Sequence, residues 1–299
     1  PPGMSPKPPV RPGAFFWLAD KVVGRRMVPV KPQIPDPQRI REALGAMAAS
    51  YGLEVHGQLA STNDRAAELA HAGGGPGQVV LAETQTGGRG RRGKGWLSPP
   101  GGNIYLSLTI PGPPGGHGAQ VLPLAAGVAF AHALEEFELA IGLKWPNDLV
   151  SPEGRKVGGI LMETVRGKAI YVLGVGLNMV ESGGPETDPE IKRRTCLTEL
   201  GLAPGHRDYL IGRMLVHWAD TWRTLESRGW GPVKEQFLER AWLLGEPVAL
   251  EGEGGRLVGT FTGIDDHGCL LLEQGAGPVP YTSGELSLRV PGGGHGLGN

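Results

Sequence analysis

The sequence predicts an α+β protein in which a large region of helices and strands precedes a small all-β unit. Between residues 36 and 243, segments with helical spacing of apolar residues alternate with short apolar or alternating segments. From Gly245 onward the sequence consists of short β segments separated by turns such as Asp265-Asp266-His267-Gly268. We therefore expect a mixed domain over residues 36–243 and a five-stranded barrel over residues 244–291.

The two ends of the chain have a different composition. Residues 1–35 contain repeated prolines and no sustained period, and residues 292–299 are rich in glycine. Segments of this kind bury too little apolar surface to order themselves. Both are predicted to be tails, and Met4 and Met27 are alternative starts of translation.

The first half of the mixed region is predicted to hold two helices and three strands. Ser61-Thr62-Asn63-Asp64 supplies side chains that cap the start of the second helix. In the third strand, apolar residues alternate with polar ones, so one face lies in the core. The predicted elements are a helix over Pro37–Ser50, a strand over Leu53–Leu59, a helix over Arg65–Ala70, and strands over Val79–Glu83 and Asn103–Ile110.

The second half of the mixed region is predicted to contain two longer helices and three strands. The first helix is rich in alanine and has larger apolar residues on one side. In the second, apolar residues recur every three or four positions, as in an amphipathic helix. The predicted elements are helices over Leu124–Phe137 and Leu210–Leu225, and strands over Leu143–Trp145, Gly158–Thr164 and Ala169–Val175. The barrel is assigned segments over Pro247–Glu251, Arg256–Ile264, Cys269–Glu273 and Val279–Val290.

Composition narrows the class of protein. Lys and Arg total 29 against 30 for Asp and Glu, and a nearly neutral chain argues against a general nucleic-acid or polybasic membrane binder. The two cysteines, Cys196 and Cys269, are far apart and in no metal-ligand spacing. No apolar run approaches the roughly 20 residues that span a bilayer, and no secretion signal is seen. We expect a reduced, cytoplasmic protein without a dedicated metal site.

A basic, glycine-spaced loop follows the second predicted strand. Gly88 to Gly93 matches G-x-G-x-x-G, but the following Trp96 to Gly102 contains two prolines and cannot begin the helix that a dinucleotide fold needs. A P-loop motif is absent as well. Two interpretations remain: a solvated or nucleic-acid-binding arginine–glycine stretch, and a lid whose arginines bind phosphate or carboxylate.

Two further clusters place polar residues at predicted strand ends. Lys144-Trp145-Pro146-Asn147-Asp148 is followed by Lys156 at the start of a glycine-bearing strand, and Asn178 follows Gly174-Val175-Gly176-Leu177. Taken alone, Asp148 and Lys156 also fit an ordinary turn aspartate and a surface lysine. Glycines inside strands are often packing devices.

Taken together in order and spacing, these motifs resemble the biotin–protein ligase family. The resemblance covers residues 53–290 and ends in Ser283 to Arg289. Lys94-Gly95 departs from the family, which often has a basic pair there. The motifs are Ser61-Thr62-Asn63, Gln85 with Gly88-Arg89-Gly90-Arg91-Arg92-Gly93 and Trp96, Lys144 to Asp148, Lys156 to Leu161, and Gly174 to Asn178.

The resemblance implies a fold, substrates and partners. The expected fold is a catalytic domain like that of class II aminoacyl-tRNA synthetases, a mixed sheet with flanking helices, followed by an SH3-like barrel. Biotin and ATP with Mg2+ are the expected substrates, and the apo biotin carboxyl carrier protein is the expected acceptor. A homodimer is possible in this family. Its N-terminal winged-helix DNA-binding domain needs about twice the length of residues 1–35, so neither this domain nor DNA binding is expected.

The resemblance also implies roles for the motif residues. Ser61, Thr62, Asn63 and Gln85 would hold the ureido end of biotin, and Arg89, Gly90 and Arg91 would lie along its valerate and the phosphate. Lys156 would contact the biotin carboxylate and the reacting phosphate. Arg92, Trp96, Asn147 and Asn178 would bind ATP. Lys156, Arg91 and Asp148 are the expected catalytic residues. A free lysine is mostly protonated at neutral pH, so the chemistry itself requires a proton acceptor, and we assign this role to Asp148.

Two other functions fit parts of the sequence. A lipoate–protein ligase shares this fold and activates a different acid, whereas the basic loop and the Lys144 to Asp148 segment favour biotin. A nucleic-acid-binding regulator would use the basic loop, which the nearly neutral chain disfavours.

Overall fold

A seven-stranded mixed sheet forms the centre of the larger region. The computed structural model describes residues 34–181, 193–252, 255–282 and 287–289. The predicted tails therefore lie outside the described residues, except for positions 34 and 35. The strands are β1 (Gly52–Leu59), β2 (Gln78–Gln85), β3 (Ile104–Pro111), β4 (Gly142–Lys144), β5 (Asp148–Val150), β6 (Lys156–Thr164) and β7 (Ile170–Leu177).

The spatial order of these strands brings distant parts of the chain together. It is β1-β2-β3-β7-β6-β5-β4, with β1 and β2 parallel and the other neighbours antiparallel. Strands β4 to β7 follow one another as hairpins, so the residues of the second and third sequence clusters become neighbours. The pairing of β3 with β7 then joins this half to the strands that carry the first motifs.

Five helices of the described chain flank this sheet. They are α1 (Pro37–Leu44), α2 (Thr62–His71), α3 (Val121–Glu135), α4 (Arg207–Arg228) and α5 (Gly231–Arg240). None of the helices searched, all within the described residues, combines the length and apolarity needed to span a membrane.

The predicted helix over Pro37–Ser50 is too long. The Asp36 carboxylate accepts a hydrogen bond from the Gln38 amide at 2.8 Å and caps α1, but Gly45 has a φ of 56° and ends it. A left-handed residue of this kind is a common helix stop. The segment Gly45–Ser50 continues as a 3-10 helix.

The two faces of the sheet carry different layers. Odd residues of β7, such as Leu173 and Val175, belong to the main core with α3 and α4. Even residues of β7 face the opposite side because side chains alternate along a strand. There Val172 packs with Ala66 and Ala70 of α2 in a second, smaller core. Gly174 and Gly176 also lie on this second face, further along β7 than Val172.

The C-terminal part is a five-stranded antiparallel sheet, which confirms the predicted all-β unit. Its order is β11-β10-β9-β8-β12. The predicted segment Val279–Val290 forms two strands rather than one, and Ser283 to Leu286 and Val290 lie outside the described residues. The strands are β8 (Pro247–Gly252), β9 (Gly255–Ile264), β10 (Leu270–Glu273), β11 (Pro278–Tyr281) and β12 (Ser287–Arg289).

The turn between β9 and β10 contacts the larger region through two buried tryptophans. The Trp145 indole nitrogen donates to the Gly268 carbonyl at 3.0 Å, and that of Trp230 donates to the Asp265 carbonyl at 3.3 Å. Lys234 also forms an ion pair with Asp266 at 2.6 Å. Trp145 directly precedes Pro146-Asn147-Asp148, so the small sheet packs behind one of the predicted site segments.

Candidate active site

The first group of predicted site residues joins the start of α2 to the end of β2. The Gln85 side-chain oxygen accepts hydrogen bonds from the Thr62 amide at 2.8 Å and the Thr62 hydroxyl at 3.1 Å. The Gln85 amide nitrogen donates to the Ser98 hydroxyl at 3.0 Å. Ser61 caps α2, because its hydroxyl accepts from the Asp64 amide at 3.5 Å. These bonds fix a group of polar side chains on the second face of the sheet.

Asn63 lies on a glycine of β7. A Cβ atom at Gly174 would come within 2.3 Å of the Asn63 side-chain oxygen, so only glycine leaves room for this amide. That oxygen lies 2.5 Å from the Ser107 hydroxyl, and the Asn63 nitrogen donates to Glu163 at 2.6 Å. Asn63 is thereby held between β3, β6 and β7.

The basic loop folds into a closed turn, named here the basic hairpin (residues 88–96). The Trp96 amide donates to the Gly88 carbonyl at 2.8 Å, and the Gly90 amide donates to the Lys94 carbonyl at 2.7 Å. Arg92, at its tip, has a left-handed φ of 58°. The chain after the hairpin is fixed as well, since the Gly101 and Gly102 amides donate to the buried Glu83 carboxylate at 2.9 and 3.2 Å.

The first two arginines of the basic hairpin point to different partners. The Arg89 guanidinium donates two hydrogen bonds to Asp64, at 2.8 and 2.6 Å, and a further one to Glu163 at 3.2 Å. Arg91 donates to the Asn147 side-chain oxygen at 3.3 Å. Burial, and then the charge of Arg92, lower the pKa of Arg91, which remains a cation at neutral pH.

Lys156 and Asp148 form an ion pair on the same face of the sheet. The lysine Nζ lies 2.6 Å from an Asp148 oxygen and 5.3 Å from the centre of the Trp96 ring. Both residues belong to the paired strands β5 and β6, in which Asp148 is the register partner of Gly159 and Lys156 that of Val150. An opposite charge and an aromatic face are both favourable neighbours for an ammonium group.

Trp96 lies directly on the glycines of β6 and β7. A Cβ at Gly176 would be 2.4 Å from the indole ring, and one at Gly159 would be 3.3 Å from it. Gly159 and Gly176 are register partners, so they form one flat floor. The Trp96 indole nitrogen is buried and has no hydrogen-bond acceptor within the part of the chain that is described.

Asn147 and Asn178, which are predicted to bind ATP, donate hydrogen bonds to backbone carbonyls. The Asn147 side-chain nitrogen donates to the Ile160 carbonyl of β6 at 2.7 Å. The nearly buried Asn178 donates to the Thr195 carbonyl at 3.1 Å and the Lys156 carbonyl at 3.4 Å. Both side chains thus stabilise the segments that carry Lys156 and Asp148.

The structure brings the predicted residues together in two connected groups on one face of the sheet. Ser61, Thr62, Asn63 and Gln85 form one group, Asn147, Asp148, Lys156 and Asn178 form the other, and the basic hairpin with Gly90, Arg91 and Trp96 crosses between them. The residues missed by the sequence prediction are Asp64, Ser98, Ser107 and Glu163. Glu163 lies four residues after Gly159 on β6, so both positions face the same side of the sheet. This spacing could have identified Glu163 as a site residue from the sequence.

One face of the sheet thus carries a lysine–aspartate pair, a group of amide and hydroxyl side chains and a basic hairpin between them, an arrangement that suits a ligase that activates a carboxylic acid. Residues 57–179 match the Biotin/lipoate A/B protein ligase family, and residues 243–289 match the Biotin protein ligase C terminal domain. The chain belongs to the biotin protein ligase family, and it is an enzyme.

Individual relatives support this assignment. The biotin--[acetyl-CoA-carboxylase] ligase of Mycobacterium tuberculosis is 35% identical over 268 residues, which cover 84% of this chain and 94% of the relative. The enzyme of the same name from Paracoccus denitrificans is 33% identical, over 76% of this chain and 96% of the relative. The biotin protein ligase from Aquifex aeolicus in complex with biotin and ATP superposes with a TM-score of 0.69 at 30% identity, covering 80% of this chain and 99% of that one. This likeness confirms the predicted fold class of a mixed sheet with flanking helices and a small C-terminal sheet.

Proposed function

We propose that this enzyme joins biotin to ATP, forms biotinyl-5′-AMP, and transfers the biotinyl group to a lysine of the biotin carboxyl carrier protein. The observation that carries the proposal is Lys156, held between Asp148 and the Trp96 ring at the end of the glycine floor. A solved relative with biotin and ATP bound supports the choice of substrates. The free cysteines Cys196 and Cys269 suit the reducing cytoplasm, where we place the activity.

Biotin would lie along this face of the sheet, with its ureido ring near Thr62 and Gln85 and its carboxylate at Lys156. The polar groups around the ureido ring are already ordered by mutual hydrogen bonds. The glycines at 159 and 176 leave room for the Trp96 ring, which lies on them, and biotin would lie beside this ring. Trp96 would form one wall of the site, next to the Lys156 ammonium group.

In the first step, a biotin carboxylate oxygen attacks the α-phosphorus of ATP, and the bond from that phosphorus to the leaving pyrophosphate breaks. Two anions must approach each other, so cations are needed at the junction. At about 4 Å and an effective dielectric near 20, each well-placed charge contributes on the order of 4 kcal/mol before desolvation. We assign this role to Lys156 and Arg91, with Arg92 on the ATP side.

Mg2+ enters this proposal bound to the phosphates of ATP. Among the described residues there is no group of three or more His, Cys, Asp or Glu side chains placed to hold a metal ion. Mg2+ commonly binds through substrate phosphates and one or two carboxylates, a pattern that needs no such group. Asp148, which lies beside Lys156, is a carboxylate at the proposed junction.

In the second step, the acceptor lysine nitrogen attacks the carbonyl carbon of biotinyl-AMP, an amide bond forms, and AMP leaves. A free lysine has a pKa of about 10.4, so it must lose a proton before it can attack. We assign that proton to Asp148, which the structure places beside Lys156. The basic hairpin would cover the anhydride and exclude water in the interval.

A direct test is to incubate the enzyme with ATP, labelled biotin and an apo biotin-carrier domain. The expected result is label on the carrier lysine and formation of pyrophosphate and AMP. A carrier with that lysine changed to arginine is the control, since it should leave labelled biotinyl-AMP on the enzyme. Lipoic acid in place of biotin tests the other acid of the family, and transfer of lipoate in preference to biotin would contradict the proposal.

A further inference from the structure

Two carboxylates accept hydrogen bonds from the side chain of Arg89, and one of them also accepts a hydrogen bond from an amide. Asp64, in the first turn of α2, accepts two hydrogen bonds from the guanidinium, and Glu163 on β6 accepts another. The same Glu163 carboxylate accepts a hydrogen bond from Asn63. One arginine therefore joins the basic hairpin to a helix and a strand that the chain places far apart in sequence.

This contact reaches Trp96 through the stem of the basic hairpin. Arg89 and Gly95 form an antiparallel bridge, and the Trp96 amide donates to the Gly88 carbonyl at 2.8 Å. The position of Arg89 thus sets the position of Trp96 across the stem. Trp96 in turn contacts Gly176 and lies 5.3 Å from the Lys156 Nζ.

The interaction is electrostatic and partly open to solvent. The side chains of Arg89, Asp64 and Glu163 are 38%, 52% and 36% exposed. The hydrogen bonds from Arg89 lower the pKa of Asp64, and those to Asp64 and Glu163 raise the pKa of Arg89. Both groups stay charged at neutral pH, and salt screens pairs of this exposure.

We propose that Asp64 and Glu163 are positioning residues that act as a carboxylate clamp, holding Arg89 so that the basic hairpin stays closed over the biotin–adenylate site. The Arg89 guanidinium is committed to protein carboxylates, so its task is to place the hairpin and Trp96. The clamp limits escape of biotinyl-AMP and entry of water. The effect on biotinyl-AMP and water rests on the proposed function, whereas the closure of the hairpin does not.

Neutral variants remove the charge and keep the shape. Asp64→Asn and Glu163→Gln each retain one oxygen acceptor, and Glu163→Gln still offers an oxygen to Asn63. Arg89→Lys keeps the charge but cannot donate in parallel to both Asp64 oxygens. Glu136→Gln is the matched control, because Arg213 binds Glu136 with two hydrogen bonds of 2.7 and 2.6 Å away from the site.

The first measurement is amide hydrogen exchange of the ligand-free enzyme. In the Asp64→Asn/Glu163→Gln double variant, amides of residues 88–96 should exchange several times faster, and wild type should approach that rate at high salt. Glu136→Gln should leave this segment unchanged. Unchanged exchange in both the double variant and Arg89→Lys would overturn the clamp, whatever the enzyme's activity.

The second measurement is retention of biotinyl-AMP. Each single variant should release the intermediate about two to five times faster, the range expected for losing one partly exposed pair. The rise in KM for biotin should exceed the fall in the rate of pyrophosphate formation. Faster exchange with unchanged retention would overturn the effect on the intermediate. A wild-type enzyme that forms no biotinyl-AMP would refute the proposed function, and hydrogen exchange would still decide the clamp.

Discussion

At the scale of single residues, the lysine–aspartate pair divides the proposed chemistry between two side chains. Lys156→Ala should slow pyrophosphate release by about a hundredfold or more, the usual effect of removing one group that stabilises developing charge. Asp148→Ala should instead slow transfer from preformed biotinyl-AMP to the carrier more than it slows pyrophosphate release. Pyrophosphate release at near wild-type rate in Lys156→Ala would refute the role assigned to the lysine.

The glycine floor gives a second prediction at this scale. In Gly176→Ala the new methyl group would overlap the Trp96 ring, which is 2.4 Å from the Cβ position. The ring must move off the floor, so the affinity for biotin should fall by about tenfold, equivalent to about 1.4 kcal/mol. Gly75→Ala is the control, because no atom lies within 4 Å of that Cβ position. Equal affinities of the two variants in a calorimetric titration would contradict this account.

At the scale of elements, the packing of α3 against α4 contains a half-buried histidine. Burial, and then the charge of Arg240, lower the pKa of His132 below its ordinary value of 6.5. The unfolded chain therefore binds a proton at a pH where the folded chain does not. This difference in proton binding has no effect on the free energy of unfolding above about pH 6.5. Below that pH, it lowers the free energy of unfolding as the pH falls toward the lowered pKa of His132.

The corresponding prediction concerns stability against pH. Urea unfolding of the wild type between about pH 7.5 and 5.5 should show a decline that His132→Gln reduces, since glutamine does not titrate. His217, whose ring lies 5.8 Å away, and Arg240, Glu135 and Glu239 surround the imidazole and are unchanged in the variant. Identical pH profiles for the two proteins would show that His132 does not contribute.

Elements with a strong local pattern were predictable from the sequence, and those that depend on distant partners were not. The alternation over Asn103–Ile110 predicted β3 within one residue at each end, but the strand is buried on both faces rather than one because it pairs with β2 and β7 under covering layers. Strand β5 was missed because its three residues, Asp148–Val150, carry no period and exist through pairing with β4 and β6. Helix α5 was also missed: its 10 residues bury Val233 and Phe237, and it begins with Gly231 and Pro232.

The candidate site shows the same division. Motif residues such as Lys156 and Asp148 were named from the sequence, and the structure places them 2.6 Å apart. Asp64 and Glu163 could not be paired with Arg89, since 25 and 74 residues separate them from it. Contacts over such separations are set by the order of strands in the sheet, which the sequence pattern does not specify.

At the scale of the whole molecule, the turn between β9 and β10 supports the segment that carries Asp148. Trp145→Phe removes the hydrogen bond to the Gly268 carbonyl and should lower the free energy of unfolding by about 1–3 kcal/mol. Trp222→Phe is a matched control, because its indole donates to the exposed Glu226. A loss of stability in Trp145→Phe no greater than in Trp222→Phe would contradict a supporting role for this bond.

The buried contact of Trp145 with Gly268 also links the C-terminal sheet to the rest of the chain. A chain ended before β8 would lose the acceptor for the Trp145 indole and expose the ring that precedes Pro146-Asn147-Asp148. Gly268 has a φ of 81°, and its Cβ position is 3.3 Å from the Gln120 backbone, so few foreign turns would fit the same place. The C-terminal sheet is therefore coupled to the larger region through this contact. Hybrid enzymes should be joined so that Trp145 and the turn that receives its hydrogen bond come from the same parent.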